Sequence, residues 1–64
     1  MAELYRKLSV LLCEAGFEYE KNAKGSHEKW RHSETGRLII VLRSTKSAHT
    51  ANAILRSAGL PKAF

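Results

Sequence analysis

Ser26-His27-Glu28-Lys29-Trp30-Arg31-His32, then Ser33-Glu34-Thr35-Gly36, then Arg37-Leu38-Ile39-Ile40-Val41-Leu42 is the stretch that decides the fold. In an extended chain successive side chains point to opposite faces, so His27, Lys29 and Arg31 share one face while Ser26, Glu28, Trp30 and His32 share the other. Trp30 marks the core side. Glu28 falls on that side too, a conflict that places it near the open end of the sheet. The four residues Ser33 to Gly36 have turn chemistry, and Arg37 to Leu42 carries a run of β-branched and apolar residues. A turn of that length between two strand signals predicts an antiparallel hairpin.

Working outward, Phe17 and Tyr19 alternate with Glu18 and Glu20, which predicts a short strand, and Lys21 to Gly25 reads as the loop joining it to the hairpin. Upstream, Leu4, Leu8, Leu11, Leu12 and Ala15 recur at helical spacing, predicting an amphipathic helix over residues 3–15 that Gly16 terminates. Cys13, the single cysteine, is expected to be a buried thiol. Downstream of the polar stretch Arg43 to Ser47, the residues Ala51, Ile54, Leu55 and Ala58 predict a second helix, with Ser47 as its N-cap and Gly59-Leu60-Pro61 as its stop. The fold class is therefore α+β, in the order helix, three antiparallel strands, helix. Two short helices cover only one face of the sheet and leave the other open. Leu8, Leu11, Trp30, Ile40, Ile54 and Leu55 are the expected core. No repeat, linker or low-complexity tract divides residues 1–64, which read as one domain.

Size and charge limit the functions available. A chain of 64 residues buries only about 60% of the surface its unfolded form exposes, so a large substrate cavity is excluded. Eleven Lys and Arg against six Asp and Glu give a formal charge of +5 and a pI near 9.8, the balance of a chain that meets a polyanion. A lone cysteine forms no internal disulfide, which suits the reducing cytoplasm. Arg6 and Lys7 before Leu8 to Cys13 imitate a secretion signal, but six residues containing a serine are too few for its apolar region. The expectation is a soluble, cytoplasmic protein with no membrane span.

The chemistry-bearing stretch is Gly25-Ser26-His27, between Lys21 and Lys24 on one side and the strand reaching Trp30 on the other. Glycine lets a backbone approach a phosphate, serine offers a hydroxyl, and histidine has an unperturbed pKa suited to proton transfer near neutrality. Lys24, Lys29 and Arg31 are candidate phosphate contacts, the last two because they share His27's strand face. Ser26 either bonds a phosphate or ties the loop to the strand, and Gly25 either admits a phosphate or supplies an unusual backbone angle. Trp30 reads as core rather than as a base-stacking platform. No cysteine or carboxylate cluster has metal-ligand spacing, His27 and His32 face opposite sides of one strand, and Ser26 and His27 point apart, so neither a metal site nor a Ser-His-acid hydrolase is expected. The motifs of nucleotide-cofactor folds are missing, and no cofactor is expected.

The element order, Gly16-Phe17 after the first helix, Gly25-Ser26-His27 opening the second strand, and Thr50, Ile54-Leu55 and Ala58-Gly59-Leu60 near the end together resemble the HicA family of bacterial toxins across nearly the whole chain. The resemblance implies a fold like the double-stranded RNA-binding domain, metal-independent endoribonuclease activity on mRNA, and inhibition by a HicB-like antitoxin. It places the catalytic histidine at His27, with Gly25 and Ser26 as its motif neighbours. The chain departs from the family pattern at Val41-Leu42-Arg43-Ser44-Thr45-Lys46, where many members carry a proline and a second histidine. A binding module that grips RNA without cutting it, or a decayed toxin that only binds its antitoxin, is the alternative.

Overall fold

In the computed structural model, which describes residues 3–64, the elements follow as α1 (Glu3–Glu14), β1 (Phe17–Lys24), β2 (His27–His32), β3 (Leu38–Leu42) and α2 (Ala48–Ser57). The strands form one antiparallel sheet in the order β1-β2-β3, and both helices lie on the same face, α1 toward β1 and α2 toward β3. The shortest dimension of the Cα trace is 15 Å, the thickness of one helix layer on one sheet. No helix among the described residues is long and apolar enough to cross a membrane.

Each helix is ended by its own chemistry. Gly16 stops α1 with a φ of 99°, a left-handed angle that favours glycine, and a Cβ added there would lie 2.7 Å from His32 Nε2. At the start of α2, Ser47 Oγ accepts a 3.1 Å hydrogen bond from the Thr50 amide, as an N-cap should. Beyond α2 the chain folds back. The Ala63 and Phe64 amides donate to Asn52 Oδ1, Asn52 Nδ2 donates to the Phe64 carbonyl, and the Phe64 ring packs against the core.

Between the layers lie Leu8, Leu12, Phe17, Trp30, Ile39, Val41, Ala51, Ile54, Leu55 and Ala58. Trp30 is core, as its side of the alternation requires. Ile40 is not: it is 44% exposed on the open face, and Ile39 and Val41 take the interior. The reason is register. Trp30 lies opposite Ile39 and Lys29 opposite Ile40, and cross-strand partners share a face. Leu11 is half-buried at the margin of the core, while Leu12 is fully enclosed.

Three further expectations are corrected. Cys13 is exposed, because it follows Leu12 by one residue and so turns about 100° away from the Leu8 and Leu12 stripe. Lys21 to Lys24 are not a loop but the second half of β1, since pairing with β2 satisfies their backbone whatever their side-chain polarity. Only Gly25 and Ser26 remain as the connection. Gly25 has a φ of 58° while Ser26 stays negative, the arrangement of a two-residue type II′ hairpin turn. Glu28, finally, is not at a wet end of the sheet; it is 3% exposed beneath α1.

Candidate functional site

His27 is the first residue of β2, exposed, on the sheet face that no helix covers. Its neighbours there are set by irregularities in β1. Strict alternation would put Lys21 and Lys24 on opposite faces, but an extra residue between Tyr19 and Lys21 and another between Asn22 and Lys24 shift the register twice. Lys21 then lies opposite Lys29, and Lys24 opposite His27. Lys21, Lys24 and Lys29 thus share the open face of the sheet with His27. Lys21 belongs to this group although its sequence neighbourhood reads only as a polar loop.

No carboxylate among the described residues pairs with Lys21, Lys24 or Lys29; the two ion pairs present are Arg31 with Glu20 and Arg43 with Glu28. Like charges placed directly across two strands destabilise a sheet, so the Lys21 and Lys29 pairing is a local cost of folding. Arg31 differs. It shares the face, but its Nε donates to Glu20 at 2.6 Å and its Nη1 to the Gly36 carbonyl at 3.1 Å. That hydrogen bond and charge hold the Glu20 carboxyl below its usual range and push the Arg31 guanidinium up. Arg31 stands four residues from His27, about 13 Å along the strand, with most of its charge already balanced.

The other two motif residues sit apart from the imidazole. Ser26 is turned away from His27, and its hydroxyl lies 3.2 Å from that of Ser44, while the Ser26 carbonyl accepts from the Arg43 amide at 2.8 Å. Ser26 therefore ties the hairpin turn to the segment after β3. Nothing lies within 4 Å of a Cβ placed on Gly25, so its positive φ accounts for glycine there and the space beside it is open.

Beneath the sheet a polar cluster braces the same end of β2. Tyr5 Oη and Trp30 Nε1 both donate to Glu28 Oε1, at 2.8 and 2.9 Å, and Arg43 Nε stands 3.7 Å from Oε2. The buried carboxylate thus joins α1, β2 and the segment after β3. Burial, with the bond to Glu28 second, pushes the Tyr5 phenol up to about 12. Two features of the sequence foreshadow this arrangement: Tyr5 lies one turn before Leu8 on α1, and the Trp30 indole needs an acceptor on its own face.

Neither remaining histidine joins His27. His32 Nδ1 accepts from the Glu34 and Thr35 amides at 3.1 and 3.2 Å, which leaves its proton on Nε2, donated to the Ala15 carbonyl at 2.9 Å. The ring also meets Phe17 edge to face, with centroids 5.0 Å apart. His49 is exposed in the first turn of α2, in the helix layer. The segment Arg43 to Ser47 contains no imidazole.

A family model described as the HicA toxin of bacterial toxin-antitoxin systems matches residues 5–60. No curated protein and no solved structure matches the chain.

Proposed function

The chain belongs to the HicA toxin family, whose members have a cognate antitoxin, and from that premise we propose that it is a metal-independent endoribonuclease that cleaves mRNA with His27 as general acid and base. The observation that carries the proposal is the set of lysines without ion-pair partners among the described residues on the same face as an exposed imidazole. A sheet that tolerates Lys21 opposite Lys29 gains the lost stability back when an anion lies between them.

RNA carries its own nucleophile. His27 removes the 2′-hydroxyl proton, the 2′-oxygen attacks the adjacent phosphorus, and the bond from phosphorus to the 5′-oxygen breaks, leaving a 2′,3′-cyclic phosphate. The departing 5′-oxygen takes up a proton, from the imidazolium or from water. Lys24, across the hairpin from His27, and Lys29, two residues along the same face, offset the charge that builds on the non-bridging oxygens. Lys21 and Arg31 extend the positive face for the flanking backbone. Gly25 and Ser26 form the turn that presents His27, with open space beside Gly25 for the phosphate. The substrate is the cell's mRNA, the compartment is the cytoplasm, and the antitoxin is HicB-like.

The alternative, a chain that binds RNA or its antitoxin without cutting, draws on one observation: His32 is held by three hydrogen bonds and His49 lies in the helix layer, so no second imidazole stands beside His27 to protonate the leaving oxygen. End-group analysis of RNA incubated with the purified protein in EDTA separates the readings. Cleavage with 2′,3′-cyclic phosphate ends is expected; intact RNA that is nonetheless bound would establish the binding module, and cleavage that requires a divalent ion would remove the metal-free mechanism.

A further inference from the structure

The two edges of the sheet are protected very differently. β1 carries two register shifts, Lys21 and Lys24, devices that discourage a second chain from pairing with an edge. β3 has none of these. It is a regular run, Leu38-Ile39-Ile40-Val41-Leu42, with no charge, proline, glycine or bulge, and its register with β2 is unbroken.

The phase of its hydrogen bonding is fixed by two contacts. The Arg43 amide donates to the Ser26 carbonyl and the His32 amide to the Arg37 carbonyl, so 26 with 43 and 32 with 37 are bonded pairs, as are 28 with 41 and 30 with 39 between them. Leu38, Ile40 and Leu42 therefore aim their backbone groups away from β2. Among the described residues only the Leu42 carbonyl finds a partner there, the amide and hydroxyl of Thr45. The amides of Leu38, Ile40 and Leu42 and the carbonyls of Leu38 and Ile40 form an unpaired ladder, beside the exposed Leu38 and Ile40 side chains.

The flanks indicate what fits. Arg37 and Arg43 bracket the strand, and both are exposed. In a second copy paired antiparallel about Ile40, Arg37 would face the Arg43 of the other chain at both ends, a like-charge cost. A strand with acidic residues at those positions meets two guanidinium groups instead: Arg37, which forms no ion pair among the described residues, and Arg43, which stands 3.7 Å from Glu28 but keeps 64% of its side chain exposed. We propose that the outer edge of β3 is a docking edge for an extended segment of the antitoxin, apolar opposite Leu38, Ile40 and Leu42 and acidic opposite Arg37 and Arg43. The added strand lies about 10 Å from β2, two strand spacings, and its open-face side chains run beside Ile40 and Leu42 next to His27, where they obstruct RNA. The inference rests on membership of a family with an antitoxin and is independent of whether the chain cuts RNA.

Amide hydrogen exchange of the chain alone and in its purified complex with the antitoxin tests it. Alone, Ile39 and Val41 are protected and Leu38, Ile40 and Leu42 exchange freely; in the complex the last three slow by about 100-fold or more. Ile40→Pro deletes an outward donor without touching a bond to β2, and is expected to weaken antitoxin binding by about tenfold or more while Ile39 and Val41 stay protected. If that variant fails to fold, the exchange of the parent still decides. Outward amides that exchange as fast in the complex as in the free chain would overturn the proposal. So would their protection in the chain alone rising with its concentration, which would assign the edge to a second copy.

Discussion

β2 carries a histidine at each end, and the two have opposite surroundings. His32 fills three hydrogen bonds, packs edge-on against Phe17 and leaves no room for a Cβ at Gly16. His27, five residues away on the other face, is exposed, has no hydrogen-bond partner among the described side chains and shares its face with lysines that form no ion pair among the described residues, the Glu20 carboxylate acting on Lys21 and Lys29 only at longer range. The fold uses one imidazole as a fastener joining the end of α1, β1 and the β2–β3 turn. The other is supported by the sheet and contributes little to it. An exposed polar group with little packing to lose, on one face with like charges set across two strands, is the observation on which the proposed RNA site rests.

The comparison is sharpened most by His32→Ala. Losing three hydrogen bonds and an aromatic contact should destabilise the fold by about 2 to 4 kcal/mol, lowering the melting temperature by on the order of 10 °C or more. A variant that melts with the parent would remove the distinction between the two histidines. A smaller loss is expected from Tyr5→Phe, about 1 to 2 kcal/mol, because Glu28 keeps only the Trp30 donor on Oε1. This effect depends on pH. The Tyr5 phenol ionises at about 12 in the fold against an ordinary 10.0, so its contribution is complete below about pH 10 and is lost as the pH rises toward 12. Urea unfolding between pH 9 and 12 should therefore show a steeper decline for the parent than for Tyr5→Phe; parallel curves would contradict the assignment. The smallest effect has the opposite sign. Lys21→Glu places a carboxylate opposite Lys29 and should stabilise the sheet by about 0.2 to 1 kcal/mol, while RNA binding weakens and its salt dependence, d log K against log[salt], loses about 0.7 or more in slope. Stabilisation with undiminished RNA binding would detach the lysines from the site.

How much of this was legible in the sequence differs between the same two regions. The hairpin, both helices, the inward Trp30 and the outward His27 follow from alternation, helical spacing and turn chemistry, which are local. Ile39 and Ile40 could not be told apart that way. Leu38 to Leu42 is apolar at every position and has no alternation, so only the pairing of Trp30 with Ile39 decides which residues enter the core. Lys24 was legible as a candidate only through its place beside Gly25-Ser26-His27, and Lys21 was not singled out, for a related reason: a polar run carries no period, and the two shifts that bring both lysines to His27's face belong to the pairing of β1 with β2. Glu28 looked misplaced because its partners, Tyr5, Trp30 and Arg43, are contributed by three elements and meet only in the fold.

The most direct test of the central claim is the rate at which purified His27→Ala cleaves RNA, measured beside the parent at a temperature where both are folded. An exposed side chain without packing partners should leave the melting temperature almost unchanged, within about 0.5 kcal/mol of stability. The cleavage rate should fall by about 10² to 10⁴, the contribution of a positioned acid or base. A variant that is fully folded and cuts RNA at a rate close to the parent's would show that the chemistry, if it belongs to this face, is not performed by His27.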